Sequence, residues 1–185
     1  MADTRWRGWS SGIRWVLVAI FLMSLVTWAI GCAFTARFAN AEIGDAPYYR
    51  RISTAVLYFY AAGFPMATML AAAIDFVLYM RGWLSPVVSI IWSIIAFGAW
   101  LWVLLMWGVT EWSPDTGGVL DLYMYDYGVD NMDWDFVYGS GLFYSRISTG
   151  GVAAFLTLVQ LSFAARAVDL ERKERKARVG KLEGA

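Results

Sequence analysis

Four stretches of this chain carry no Asp, Glu, Lys or Arg, and their lengths leave few folds open. They cover 15–36, 52–74, 82–110 and 147–165, which is 22, 23, 29 and 19 residues. At 1.5 Å of rise per residue, about 20 apolar residues carry a helix across a hydrocarbon core of roughly 30 Å. Each window is long enough, and no strong ten-residue alternation of a membrane β-barrel runs through them. The spacing predicts an all-α membrane protein, a four-helix transmembrane bundle with helices over 13–36, 52–80, 86–109 and 146–168. Residues 1–170 form its membrane domain, and 171–185 a charged tail.

Local punctuation fits these spans. In "WLSP", Ser85 is placed to cap a helix whose first residue is Pro86, because proline at that position loses only an N–H with no helical partner. Pro65, two residues after Gly63, is expected to kink the second helix rather than end it. Composition then removes most soluble chemistry. Only 16% of residues are charged, there is no His, and Cys32 is the single cysteine. His-based acid–base catalysis, disulfide frameworks and the usual transition-metal sites lose their raw material together. No enzyme activity, cofactor, metal or nucleic-acid partner is expected.

Lys and Arg set the orientation. Arg5, Arg7, Arg14 and Arg81, with seven basic residues from Arg166 to Lys181, fall on one side, and Arg37, Arg50, Arg51 and Arg146 on the other. The basic-rich side is the cytoplasmic one, so both termini are expected there, in a plasma membrane or an internal one. "FANAE" offers a small-residue pattern like a signal-peptidase site, but the preceding apolar run of 22 residues is longer than signal-peptide cores of about 7–15. The first helix is expected to be retained.

The third loop holds Glu111, Asp115, Asp121, Asp126, Asp130, Asp133 and Asp135 without one Lys or Arg. Its many aromatic residues argue against disorder, and its partial alternation fits a short hairpin across the outer face. The acid spacing lacks the glycine and terminal glutamate of a helix–loop–helix Ca²⁺ site, so the loop reads as acidic and solvated. The tail places Glu171–Arg175 and Glu174–Arg178 at helical i,i+4 spacing, which extends the last helix into the cytoplasm. Arg172, Lys173, Arg175, Lys176 and Arg178 give that extension a basic excess suited to anionic lipid.

Small residues recur at four-residue spacing as Thr27-Gly31-Thr35, Gly63-Ala67-Ala71 and Gly150-Ala154. Such stripes let helix backbones approach, here within the bundle or between copies of the chain. The third helix, with Trp92, Trp100, Trp102 and Trp107, reads as bulkier and lipid-facing. Asp75 is the one acid deep in an apolar run. An intramembrane carboxylate needs a partner, and Arg14, Arg81 and Arg166 lie at a similar level. Either a structural ion pair with one of them or ion and proton handling follows.

A phrase also recurs: "YYRRIST" at 48–54 and "FYSRIST" at 143–149. Both copies fall where the chain re-enters the membrane. Aromatic residues suit the interface, and Ser/Thr hydroxyls suit a helix start. Arg51 and Arg146 stand against the helix dipole there. They are therefore expected side by side, contacting the acidic third loop or lipid phosphates.

The stretch "AAAIDFVLYMRGWLSP" and the helix after it, together with four spans and a short second loop, resemble MARVEL-type tetraspan proteins, in particular uncharacterised fungal members. That resemblance implies a non-enzymatic role in membrane organisation or vesicle trafficking. The alternative is a small transporter, channel or channel subunit built on Asp75 and the Pro65-kinked helix.

Overall fold

A computed structural model describes Trp6, Ala55 and residues 11–39, 58–111 and 140–183. Four helices dominate: α1 (Ile13–Ala39), α2 (Phe64–Met80, entered through a π-turn, Phe59–Gly63), α3 (Pro86–Glu111) and α4 (Ser140–Glu183). All four are long and apolar enough to cross a bilayer, and at most 33% of any apolar window is buried inside the bundle. Leu22, Leu70, Ile74, Ile94, Leu101 and Phe155 are among the large side chains left outside. In water that surface would be prohibitive; in lipid it is matched to its solvent. Among the described residues the fold is all-helical, and the chain is a multi-pass integral membrane protein.

α1 packs along α2 and α4, and α4 packs along α3, whereas α2 and α3 touch little although they are consecutive. The order around the bundle is therefore α2–α1–α4–α3. The α2–α3 connection explains how consecutive helices stay apart at the core yet turn tightly at one end. Arg81 caps α2, Gly82 takes φ 72°, and Gly82 and Trp83 N–H groups donate to the Tyr79 and Leu78 carbonyls. This double bond pattern needs a left-handed residue just past the helix, where glycine carries no Cβ penalty. α3 then begins at Pro86, where the sequence placed it.

Pro65 does not break its helix, because the strain is absorbed one turn earlier. Proline cannot donate to the carbonyl of Ala61, and Phe59–Gly63 widens into a π-turn. The Ala61 carbonyl lies against Gly31 of α1, so near that a Cβ on Gly31 would sit 2.3 Å from its oxygen. Ala61 and Ala62 are fully buried there. The Thr27-Gly31-Thr35 stripe thus does close a helix pair. Gly150 of α4 does the same against Leu104, Trp100 and Trp107 of α3.

Two sequence expectations change. The Gly63-Ala67-Ala71 stripe lies beside the packed face of α2: Ala67 is exposed, while Pro65, Thr68, Ala72 and Asp75 are buried. Small side chains permit close approach but do not compel it. The α3 tryptophans divide by face. Trp92 and Trp102 are exposed, but Trp100 and Trp107 are fully buried and meet edge to face, with Ala153 and Ala154 of α4 filling in around them. Large rings on one helix fit against small residues on the next.

α4 is longer than its charge-free window at both ends. It starts at Ser140, six residues before the expected start, and continues through the charged tail. Its 44 residues give a length of about 66 Å, roughly twice the hydrocarbon thickness. Residues 171–179 are all exposed. The hairpin expected over 119–139 and the first copy of the repeated phrase lie outside the described residues.

Candidate functional site

Buried hydroxyls are common in this bundle, and most satisfy themselves. Thr27, Thr35, Thr68 and Ser93 each donate to a carbonyl four residues back in their own helix, and Thr157 to one three residues back. Such back-bonding hides a polar group in an apolar helix without linking it to a neighbour. Two clusters among the described residues do more.

The first lies toward the end where the third loop attaches. Arg146 of α4 is fully buried. Its guanidinium carbon stands 4.3 Å from the ring centroid of Phe34 on α1, 4.4 Å from Trp107 on α3 and 5.9 Å from Tyr60 in the π-turn. The Trp107 indole N–H also donates to the Tyr60 carbonyl at 3.2 Å. All four helical segments therefore converge on one planar cation, and three aromatic rings stand within 6 Å of its carbon. Arg146 is thus buried within the bundle rather than exposed at its surface, while its expected contact with the acids of the third loop falls on residues outside the described ones. The reason is register. Because α4 begins at Ser140, Arg146 sits two turns into the helix, not at its first residue. Phe143 turns inward with it, Tyr144 outward, and Thr149 donates to the Ser145 carbonyl at 2.8 Å. Arg51, and the acids Asp115, Asp121, Asp126, Asp130, Asp133 and Asp135, lie outside the described residues. Glu111 ends α3, its side chain likewise outside them.

The second cluster lies toward the opposite, tail end. Asp75 of α2, Ser89 of α3 and Gln160 of α4 are all buried. The Gln160 amide donates from Nε2 both to Asp75 Oδ2, at 3.3 Å, and to Ser89 Oγ, at 3.2 Å. One side chain thus ties together the two helices that barely touch each other. The three arginines expected to serve Asp75 are all exposed. Arg14 lies over Trp15, Arg81 over Trp83, and Arg166 is near enough to Asp169 to influence its charge. Long cationic side chains reach outward to the interface, whereas Asp75, on a short stem, stays with the core.

One turn nearer the tail end lies an apolar layer. Trp6 is packed with Ile13, Leu17, Leu84, Ala164 and Ala167, meets Tyr79 edge to face, and donates from its indole nitrogen to the Leu84 carbonyl at 3.1 Å. Neither Trp6 nor Gln160 was marked by sequence reasoning. Gln160 had a usable signal, being the only glutamine in the chain and lying inside an apolar window. Trp6 had none.

In the tail, Lys173 pairs with Asp169 and Arg175 with Glu171 at i,i+4 spacing, all well exposed. Arg172, Lys176 and Arg178 are exposed on the same helix. Among the described residues no three His, Cys, Asp or Glu side chains converge on a metal position.

These features define a four-span integral membrane protein whose helices are joined inside by a caged arginine and a carboxyl–amide–hydroxyl bridge. No family model, curated protein or solved structure matches the chain.

Proposed function

We propose that the chain is a non-enzymatic membrane-organising protein of MARVEL-like type, acting in lateral organisation or vesicle traffic. The observation that carries this reading is the continuity of α4. One helix runs from the packed bundle into an exposed, charged arm, with no break between them. A rigid arm couples whatever binds its charges to the position of the bundle, and its basic residues suit anionic lipid or an acidic partner. Arg14, Arg81 and Arg166 are exposed toward the same end as the arm, which supports a cytoplasmic placement of both termini. The lack of histidine and the single cysteine support the non-enzymatic part.

A second reading, a small transporter or channel subunit, draws on the π-turn before Pro65 and on buried Asp75, because π-turns and intramembrane acids accompany function. One experiment separates the two. The tagged chain, whole or ended after Val168, is recovered from its native membranes and also reconstituted in vesicles. The organising reading expects lipids or proteins that co-purify with the whole chain and are lost with the arm, and no flux. An ion flux abolished by Asp75→Asn would replace it with the second reading.

A further inference from the structure

We infer that the exposed arm of α4 docks an acidic helix of a soluble protein, received along the face made by Val168, Arg172, Arg175, Lys176 and Val179. Such a partner deepens the organising reading, on which it rests.

The arm follows a local rule with one exception. Acid and base stand at i,i+4 spacing, so that Lys173 meets Asp169 at 2.8 Å and Arg175 meets Glu171 at 3.8 Å. Pairs of this kind let a helix stand in water without a packed face. Arg172 and Lys176 break the rule. They too are four residues apart, but both are cationic, and like charges at that spacing repel along a helix. At 3.6 residues per turn they share an arc of about 100° with Val168, Arg175 and Val179. Glu171 bounds the arc on one side and Asp169 on the other, and both are already engaged by their own partners. No acid falls within the arc between Val168 and Val179. Residues 171–179 are all exposed, Val179 at 49%. One face of the arm thus carries a local cost that acids from a partner would relieve.

Charge and spacing define that partner. Two cations one turn apart call for two carboxylates one turn apart, as charged positions pair across the helices of a coiled coil. Val168 lies one turn before Arg172 and Val179 one turn after Lys176, so each end of the face suits an aliphatic side chain. The face is about 17 Å long, roughly three turns. A second copy in the same membrane points its arm the same way, and a symmetric pair would set this basic face against itself.

The geometry favours a protein over the arm's own membrane. Arg14 over Trp15, Arg81 over Trp83 and exposed Arg166 mark the headgroup level. α4 continues past that level without a break, which carries Arg172 about 9 Å and Lys176 about 15 Å beyond Arg166. The field of charged headgroups fades over about 8 Å at physiological salt. Lying down in the interface would need a continuous apolar face. Between 171 and 179 the arm has only Val179 and, on the opposite side, Ala177.

The test uses the full chain in nanodiscs of neutral lipid and a fluorescent helical peptide with two Glu one turn apart, flanked by Leu one turn beyond each. Three turns of helix bury less than a standard interface, so binding in the micromolar range or weaker is expected, read by anisotropy. Arg172→Gln with Lys176→Gln should weaken it about tenfold, the product of two exposed pairs of ordinary strength. Lys173→Gln with Arg178→Gln removes equal charge outside the arc and should weaken it about twofold or less. Glutamine forms helix as readily as the residues it replaces. Equal weakening by the two double variants overturns the face, and no peptide binding at about 1 mM overturns the docking. A fluorophore on Ala177→Cys, in a Cys32→Ser background, should keep its emission beside a headgroup-level quencher in nanodiscs rich in phosphatidylserine. Quenching there overturns the proposal in favour of lipid. Peptide binding to a chain with which nothing co-purifies upholds the face while the organising reading fails. Arm-dependent co-purification without peptide binding overturns the face alone.

Discussion

Gly31→Ala adds one methyl group where the structure leaves no room. The new Cβ would lie 2.3 Å from the Ala61 carbonyl oxygen, 2.8 Å from its carbon and 3.2 Å from the Ala62 Cα. All three are backbone atoms, so no side chain can rotate away. Ordinary contact begins at 3.4 Å, so α1 must retreat from the π-turn by about 1 Å, which forfeits a quarter to a half of each dispersion contact along the pair. Overpacking by a methylene costs about 1–3 kcal/mol, and a backbone-to-backbone clash belongs at the upper end. Alanine regains about 1 kcal/mol of helix propensity over glycine, leaving a net loss of about 2 kcal/mol. Gly98→Ala is the matched control, because nothing lies within 4 Å of a Cβ there. It should stabilise by up to about 1 kcal/mol through propensity alone. Equilibrium unfolding in mixed micelles, followed by tryptophan fluorescence and circular dichroism, measures both. If Gly31→Ala is as stable as Gly98→Ala, the close approach of α1 to the π-turn is wrong.

Arg146→Lys should destabilise the same unfolding transition by about 1–2 kcal/mol, because an ammonium cannot lie flat between the Phe34 and Trp107 rings. A double-mutant cycle of Asp75→Leu with Gln160→Leu should give a coupling energy of about 0.6–1.7 kcal/mol, from the mean to the maximum for hydrogen bonds between membrane helices. A cycle that closes additively would mean that the two side chains do not meet. Lys173→Ala, which removes an exposed pair with Asp169, should leave the unfolding of the bundle unchanged and reduce helicity in the tail only.

The spans were legible because a bilayer imposes length and apolarity together, and few soluble elements meet both. Pro86 and Pro65 could be placed because proline's missing N–H has the same consequence in every helix. What was hidden depends on rotation and register. Trp100 and Trp102 are two residues apart in sequence and face opposite environments, and in an apolar helix no polar stripe marks which is inside. Asp75 stood out as an acid in an apolar run, but the partner the structure gives it is Gln160, 85 residues away, and the three arginines at its level are exposed. Side-chain level is readable from charge-free spans; the facing residue on another helix is not. The burial of Arg146 was not legible because the start of α4 falls at Ser140, inside a stretch whose acids suggested loop; its expected contact with the loop acids falls outside the described residues.

Four crossings place the start of α1, the α2–α3 turn and the α4 arm on one side of the membrane. Ser11→Cys, Trp83→Cys and Lys173→Cys, each in a Cys32→Ser background, put a thiol at those three exposed positions. In sealed vesicles of one orientation, a membrane-impermeant maleimide should label all three from the same side and none from the other. Trp83→Cys and Lys173→Cys labelled from opposite sides would mean that α3 and α4 do not both cross, and the four-span bundle would fall.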